Sequence, residues 1–132
     1  MRVEKDFEEL LKLFNKNKVR YTKDIDILVD PDIENAKKIV KSLDEFGFKS
    51  LNLSEKDFSQ EGKVVQLGYE PVRVDLITSI KGLTFKKVWE NKITGPYGKE
   101  KVFFIGRDDL IKSKKISKRK IDLADLDILA RK

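Results

Sequence analysis

Residues 22–30, TKDIDILVD, constrain the chain more than any other stretch. Ile25, Ile27 and Val29 alternate with Asp24, Asp26 and Leu28. Successive side chains of a β-strand point to opposite faces, so this spacing predicts one strand with an apolar face. Asp24 and Asp26 would project side by side from the other face. Such a carboxylate pair makes a hard, oxygen-rich site of the kind that holds Mg²⁺. The same pattern also suits a half-exposed strand whose acids are simply solvated.

The residue types present narrow the chemistry. The chain has no cysteine and no histidine. A disulfide framework, a zinc-thiolate centre, a histidine base and an imidazole metal ligand are all excluded. Any catalysis must rest on carboxylates, lysine, arginine or a hard metal. The 132 residues suffice for a single domain, 1–132, with a real core. Apolar and charged residues each make up 39%, as expected of a soluble globular protein rather than a disordered one. No apolar run is long enough for a transmembrane helix. The opening MRVEKDFEELL lacks the apolar centre of a signal peptide, so the expected location is the cytoplasm, away from membranes. The net charge is +6, and residues 112–120, KSKKISKRK, hold six bases in nine positions. That run favours a polyanionic partner such as nucleic acid, nucleotide or phosphate, or else forms a solvated helix end.

Taken in order, residues 4–16 place Phe7, Leu10, Leu11 and Phe14 at helical spacing, with a stop over residues 15–18. Residues 19–21 begin a strand that runs without a break into residues 22–30. Asp30 as N-cap and Pro31 at the first helical position predict a second helix. Its expected buried stripe is Ile33, Ala36, Ile39, Val40, Leu43 and Phe46, and Gly47 is its left-handed stop. Residues 48–53 suit a short strand, and residues 54–62 a polar connection. Residues 63–67 and 72–78 read as two strands joined around Gly68-Tyr69-Glu70-Pro71. In the second of these, VRVDLIT, Asp75 is a lone acid on a mostly apolar strand. Residues 84–92 predict a short helix with Phe85, Val88 and Trp89 inward; Trp89 reads as core rather than as a stacking platform. Residues 95–98 predict a turn, residues 102–105 a buried strand, and residues from Arg107 onward a helical end.

If the Asp75 strand lies beside the Asp24–Asp26 stretch, three acids share one site. Such a site can hold two divalent ions about 4 Å apart. Nucleotidyl transfer needs mainly positioning and charge neutralisation, which suits a chain without His or Cys. TKDIDILVD, with VRVDLIT about fifty residues later, resembles the DxD and third-Asp motifs of the DNA polymerase β-like nucleotidyltransferase superfamily. It is similar in particular to the small prokaryotic nucleotidyltransferases of the minimal and abortive-infection toxin type. The C-terminal DLIKSKKISKRKIDLADLDIL is similar to that family's K-x4-R-x2-D-x2-D helix, met by Lys114, Arg119, Asp122 and Asp125. The resemblance implies an α/β (α+β) fold, a short mixed β-sheet flanked by helices. It implies that Asp24, Asp26 and Asp75 bind metal, as two Mg²⁺ ions, and that Asp75 helps deprotonate an acceptor hydroxyl. Lys114 and Arg119 would lie near the nucleotide or the sheet, with Asp122 and Asp125 as structural partners. The implied reaction moves an NMP from an NTP to a hydroxyl on RNA, protein or a small molecule. Relatives of this type often act beside a separately encoded partner, as in toxin–antitoxin pairs. The alternative is a non-catalytic module on the same fold that binds nucleic acid or a partner protein through its basic C-terminal helices.

One departure from the family pattern is large. In the family, a glycine-rich turn opening a helix precedes the DxD strand, and its backbone N–H groups cradle the triphosphate. Here Thr22 follows Tyr21 directly, and the first glycine is Gly47. Either the turn and its helix are deleted, or a further segment lies between Tyr21 and Thr22 in the protein. A continuous strand over residues 19–29 would be about 11 residues, long against the usual five or six, which favours the second explanation. A deletion would also strip a helix from one face of a small sheet. Intact mass separates the two. The 132 residues give 15.4 kDa, and a turn with its helix would add roughly 2 kDa.

Overall fold

The computed structural model describes residues 3–23, 26–69 and 72–117. Its element order begins with α1 (Val3–Lys16), β1 (Tyr21–Lys23), β2 (Ile27–Val29) and α2 (Ile33–Phe46). It continues with β3 (Val64–Tyr69), β4 (Val72–Ile77), α3 (Phe85–Glu90), β5 (Ile93–Tyr97), β6 (Glu100–Phe104) and α4 (Arg107–Ser117). The strands form one six-stranded mixed sheet in the order β3-β4-β2-β1-β6-β5. The fold is therefore mixed α and β, with helices on both faces of a mixed sheet.

Alternation along the strands sorts the side chains into two cores. Ile27 and Val29 of β2, Leu67 of β3, Leu76 of β4 and Val102 of β6 pack with Leu10, Leu11 and Phe14 of α1 and with Ala36, Ile39 and Leu43 of α2. On the other face Leu28 of β2 and Ile77 of β4 meet Phe85 and Val88 of α3, Ile105 and Leu110 of α4. The interleaving of buried residues with opposite neighbours is why this short sheet needs helices on each side.

The central stretch does not run as the single strand predicted from its alternation. It folds back on itself. β1 and β2 pair antiparallel, Tyr21 with Val29, Thr22 with Leu28 and Lys23 with Ile27. An 11-residue strand would have left most of its length without partners. The hairpin instead places both halves at the middle of the sheet, β2 beside β4 and β1 beside β6. Tyr21 and Thr22 are consecutive residues of β1, so the direct junction is absorbed without strand overhang.

The open end of this hairpin is closed by Asn35, a buried residue that the sequence pattern did not single out. Its Oδ1 accepts from Arg20 N at 2.7 Å. Its Nδ2 donates to Arg20 O at 3.1 Å and to Asp30 O at 3.0 Å. Asp30 N also donates to Arg20 O, at 3.2 Å.

Several boundaries shift for local reasons. The N-cap of α2 is Asp32, not Asp30, because the Asp32 carboxylate accepts from Glu34 N and Asn35 N. Asp30 is instead paired with Arg20 at 2.8 Å. Ile33, at the first helical position, is exposed rather than part of the buried stripe. Gly47 does stop the helix, with a φ of 111°. Residues 49–51 form a 3-10 turn instead of a strand. Gly95, Pro96 and Tyr97 belong to β5 rather than to a turn. Pro96 is tolerated there because β5 is an edge strand, where one face of the backbone needs no partner.

Asn35→Ala leaves the Arg20 and Asp30 backbone groups without their side-chain partner. The expected loss in urea unfolding is about 3 kcal/mol. A loss below about 1 kcal/mol would show that the hairpin closes without this amide.

Candidate functional site

The candidate site is built by the parallel pairing of β2 with β4. Ile27 lies beside Leu76 and Leu28 beside Ile77. One step back along that register brings Asp26 level with Asp75. Alternation assigns both to the face of Leu28 and Ile77, under α3 and α4. Asp75 Oδ1 is buried, and Asp26 is half-buried. The strand of the third predicted acid does lie beside the strand that Asp26 opens.

The helical layer brings a cation to the same face. Lys114 follows Leu110 by one turn of α4, so the two share a side of that helix. Leu110 packs into the core under this face. Lys114 is only 6% exposed, where its neighbours Lys112 and Lys115 are exposed. An ammonium taken this far from water requires oxygen partners. Lys114, Asp26 and Asp75 are each engaged in at least one non-covalent contact. Asp24, Arg119, Asp122 and Asp125 lie outside the described residues.

Thr22 is a further polar group that sequence reasoning passed over. It stands opposite Leu28 across the hairpin and is 1% exposed. Its Oγ1 is buried without a hydrogen-bond partner among the described residues. Its signal in the sequence is slight: one hydroxyl beside the acids in an otherwise apolar strand.

Near the other end of the hairpin the electrostatics are settled by burial. Burial pushes the Asp30 carboxyl above its ordinary value, and the Arg20 guanidinium beside it pulls in the opposite direction. Arg20 also lies over the rings of Phe85 and Trp89, at 5.5 and 5.4 Å from their centroids. Burial likewise pushes the Tyr21 phenol far up, with the charge of Glu100 adding to it. The phenol therefore stays protonated and donates to Asn15 Oδ1 at 2.8 Å.

The donor set is of the right kind for a hard divalent cation. Two carboxylates are level on neighbouring strands, and a buried hydroxyl on the adjacent strand has no hydrogen-bond partner among the described residues. Among the described residues, no group of three His, Cys, Asp or Glu converges on one point. Of the three acids expected from the sequence to bind metal, Asp26 and Asp75 lie within the described residues and Asp24 does not. No family model, curated protein or solved structure matches this chain.

Thr22→Val replaces the hydroxyl with a methyl group of similar size. If the Oγ1 has no partner in the free protein, the variant gains about 1 kcal/mol in unfolding free energy. A loss of similar size would show that the hydroxyl is bonded in solution.

Proposed function

We propose that this chain is a Mg²⁺-dependent nucleotidyltransferase that moves an NMP from an NTP to a hydroxyl acceptor. The observation that carries the reading is the β2–β4 register, which sets Asp26 level with Asp75. The burial of Lys114 on the helix above the same face adds to it. Asp24, Asp26 and Asp75 would hold two Mg²⁺ ions. Bound Mg²⁺ supplies charge neutralisation on the triphosphate and makes a hydroxyl easier to deprotonate. Asp75 accepts the proton of the acceptor hydroxyl, a role suited to a carboxylate with a buried oxygen. Lys114 and Arg119 meet the phosphates as a point charge and a bidentate donor. RNA or a protein would serve as acceptor, and an antitoxin-like protein as partner.

A second reading has its own observation. No glycine lies between Tyr21 and Ile27, where the family pattern has its glycine-rich turn. The sequence on that side of Asp26 lacks the residues of a glycine-rich triphosphate cradle. A domain without that cradle fits a non-catalytic module that binds nucleic acid or a partner protein through the basic residues of its C-terminal helix.

Incubation with α-labelled NTPs and Mg²⁺ separates the two. The transferase reading expects labelled product, lost at least about a hundredfold in Asp26→Asn with little change in melting temperature. Mg²⁺-dependent labelling retained by Asp26→Asn would sink it. The binding reading expects nucleic-acid affinity that falls steeply with salt, survives EDTA and weakens when Lys114, Lys115, Lys118 and Lys120 become Ala.

A further inference from the structure

A cleft of about 450 Å³ opens at the end of β1 away from Asp26. It is lined by Val19, Trp89 and Phe103, with Lys18, Arg20 and Lys101 around them. Glu100 is the acid in its wall, and Asn15 stands beside it. The volume lies in the range of small-molecule sites.

The charges in the wall decide what fits. Asn15 is already committed. Its Nδ2 donates to Lys101 O at 2.9 Å and lies 3.4 Å from Glu100 Oε1, and its Oδ1 accepts from Tyr21. Lys18 and Lys101 are exposed and have ammonium groups to offer. Two cations already sit by Trp89: Lys92 Nζ at 4.0 Å and the Arg20 guanidinium at 5.4 Å from its ring centroid. A further cation there would meet like charge. Arg20 is already paired with Asp30 at 2.8 Å, so an anion would meet chiefly the exposed ammonium groups of Lys18 and Lys101, with Glu100 as the opposing charge in the wall. Phe103 packs edge-on against Trp89, with centroids 5.1 Å apart, and the two form an apolar wall for a flat ring.

We propose that this cleft binds a planar aromatic anion, a ring bearing a carboxylate or a phosphate. The ring lies against Trp89 and Phe103, and the charged group meets Lys18 and Lys101. The site is separate from the Asp26–Asp75 face and does not depend on the transferase reading.

Trp89 is the single tryptophan, so one indole N–H resonance in a ¹H–¹⁵N spectrum reports the cleft. The probes are 2-naphthoate, its neutral amide 2-naphthamide, adenosine monophosphate and inorganic phosphate. A saturable shift of the indole resonance is expected with 2-naphthoate or adenosine monophosphate, and which of the two binds tighter assigns the anionic group. The amide should bind about tenfold more weakly. The Lys18→Ala/Lys101→Ala double variant should weaken binding about fivefold, since both side chains are exposed. Asp26→Asn should leave it unchanged. The proposal is overturned if no probe gives a saturable shift, or if the amide matches the acid. It is also overturned if inorganic phosphate displaces the aromatic anion at equal concentration, or if the double variant binds as tightly as the parent.

Discussion

The amide of Asn35 is the interaction on which the rest of the sheet depends. Three hydrogen bonds from one buried side chain close the open end of the β1–β2 hairpin and tie it to α2. The hairpin itself is only three residue pairs long. Unlike an edge ribbon, it occupies the middle of the sheet, with β4 on one side and β6 on the other. A fault in its register would move every neighbouring strand, because a one-residue slip exchanges the two faces. The Asp32 carboxylate, by accepting from the Asn35 backbone, fixes the helix start that aims the amide.

That register has two consequences for chemistry. At one end of the hairpin it sets Asp26 level with Asp75, beneath the helix that carries Lys114. At the other end it holds Arg20 between Asp30 and the rings of α3, and so shapes the wall of the aromatic cleft. The two regions share the sheet and yet are separated by the length of its shortest strands. A substitution at one end can therefore be read without disturbing the other, provided Asn35 stays in place.

Much of this was legible from the residues. The helix of residues 4–16, the Gly47 stop, the paired strands around residues 63–78 and the α3 segment follow from periodicity and capping chemistry, which act over a few neighbours. The adjacency of the Asp75 strand to Asp26 was legible as a condition, and the structure meets it. The fold-back of residues 19–30 was hidden, because alternation is identical in a long strand and in the two arms of a tight hairpin. β5 was hidden too, since Gly95-Pro96 reads as a turn and only its position at the sheet edge makes it a strand. Asn35 gives no signal at all. An asparagine inside a helix looks like a solvated residue until its distant backbone partners are known. Lys114 stood inside a basic run whose composition does not separate it from the exposed Lys112 and Lys115; only its place in the K-x4-R-x2-D-x2-D pattern set it apart.

The junction between β1 and β6 gives the molecule a seam. The two strands pair in parallel at Lys23 and Phe104, extended by the bond from Ile105 N to Lys23 O at 3.2 Å. The β5–β6 ribbon beyond it is internally paired over five residues, from Ile93–Phe104 to Tyr97–Glu100. It is fastened to α1 by side chains instead, through Asn15 on Lys101 O and Glu8 on Lys99 N. Some eighty residues of chain separate the two sides of this seam, so it closes late in folding, after both local ribbons exist. Val102, buried in the larger core, and Leu110 of α4, packed into the smaller one, hold the ribbon and the helix after it to the two faces on either side of that seam.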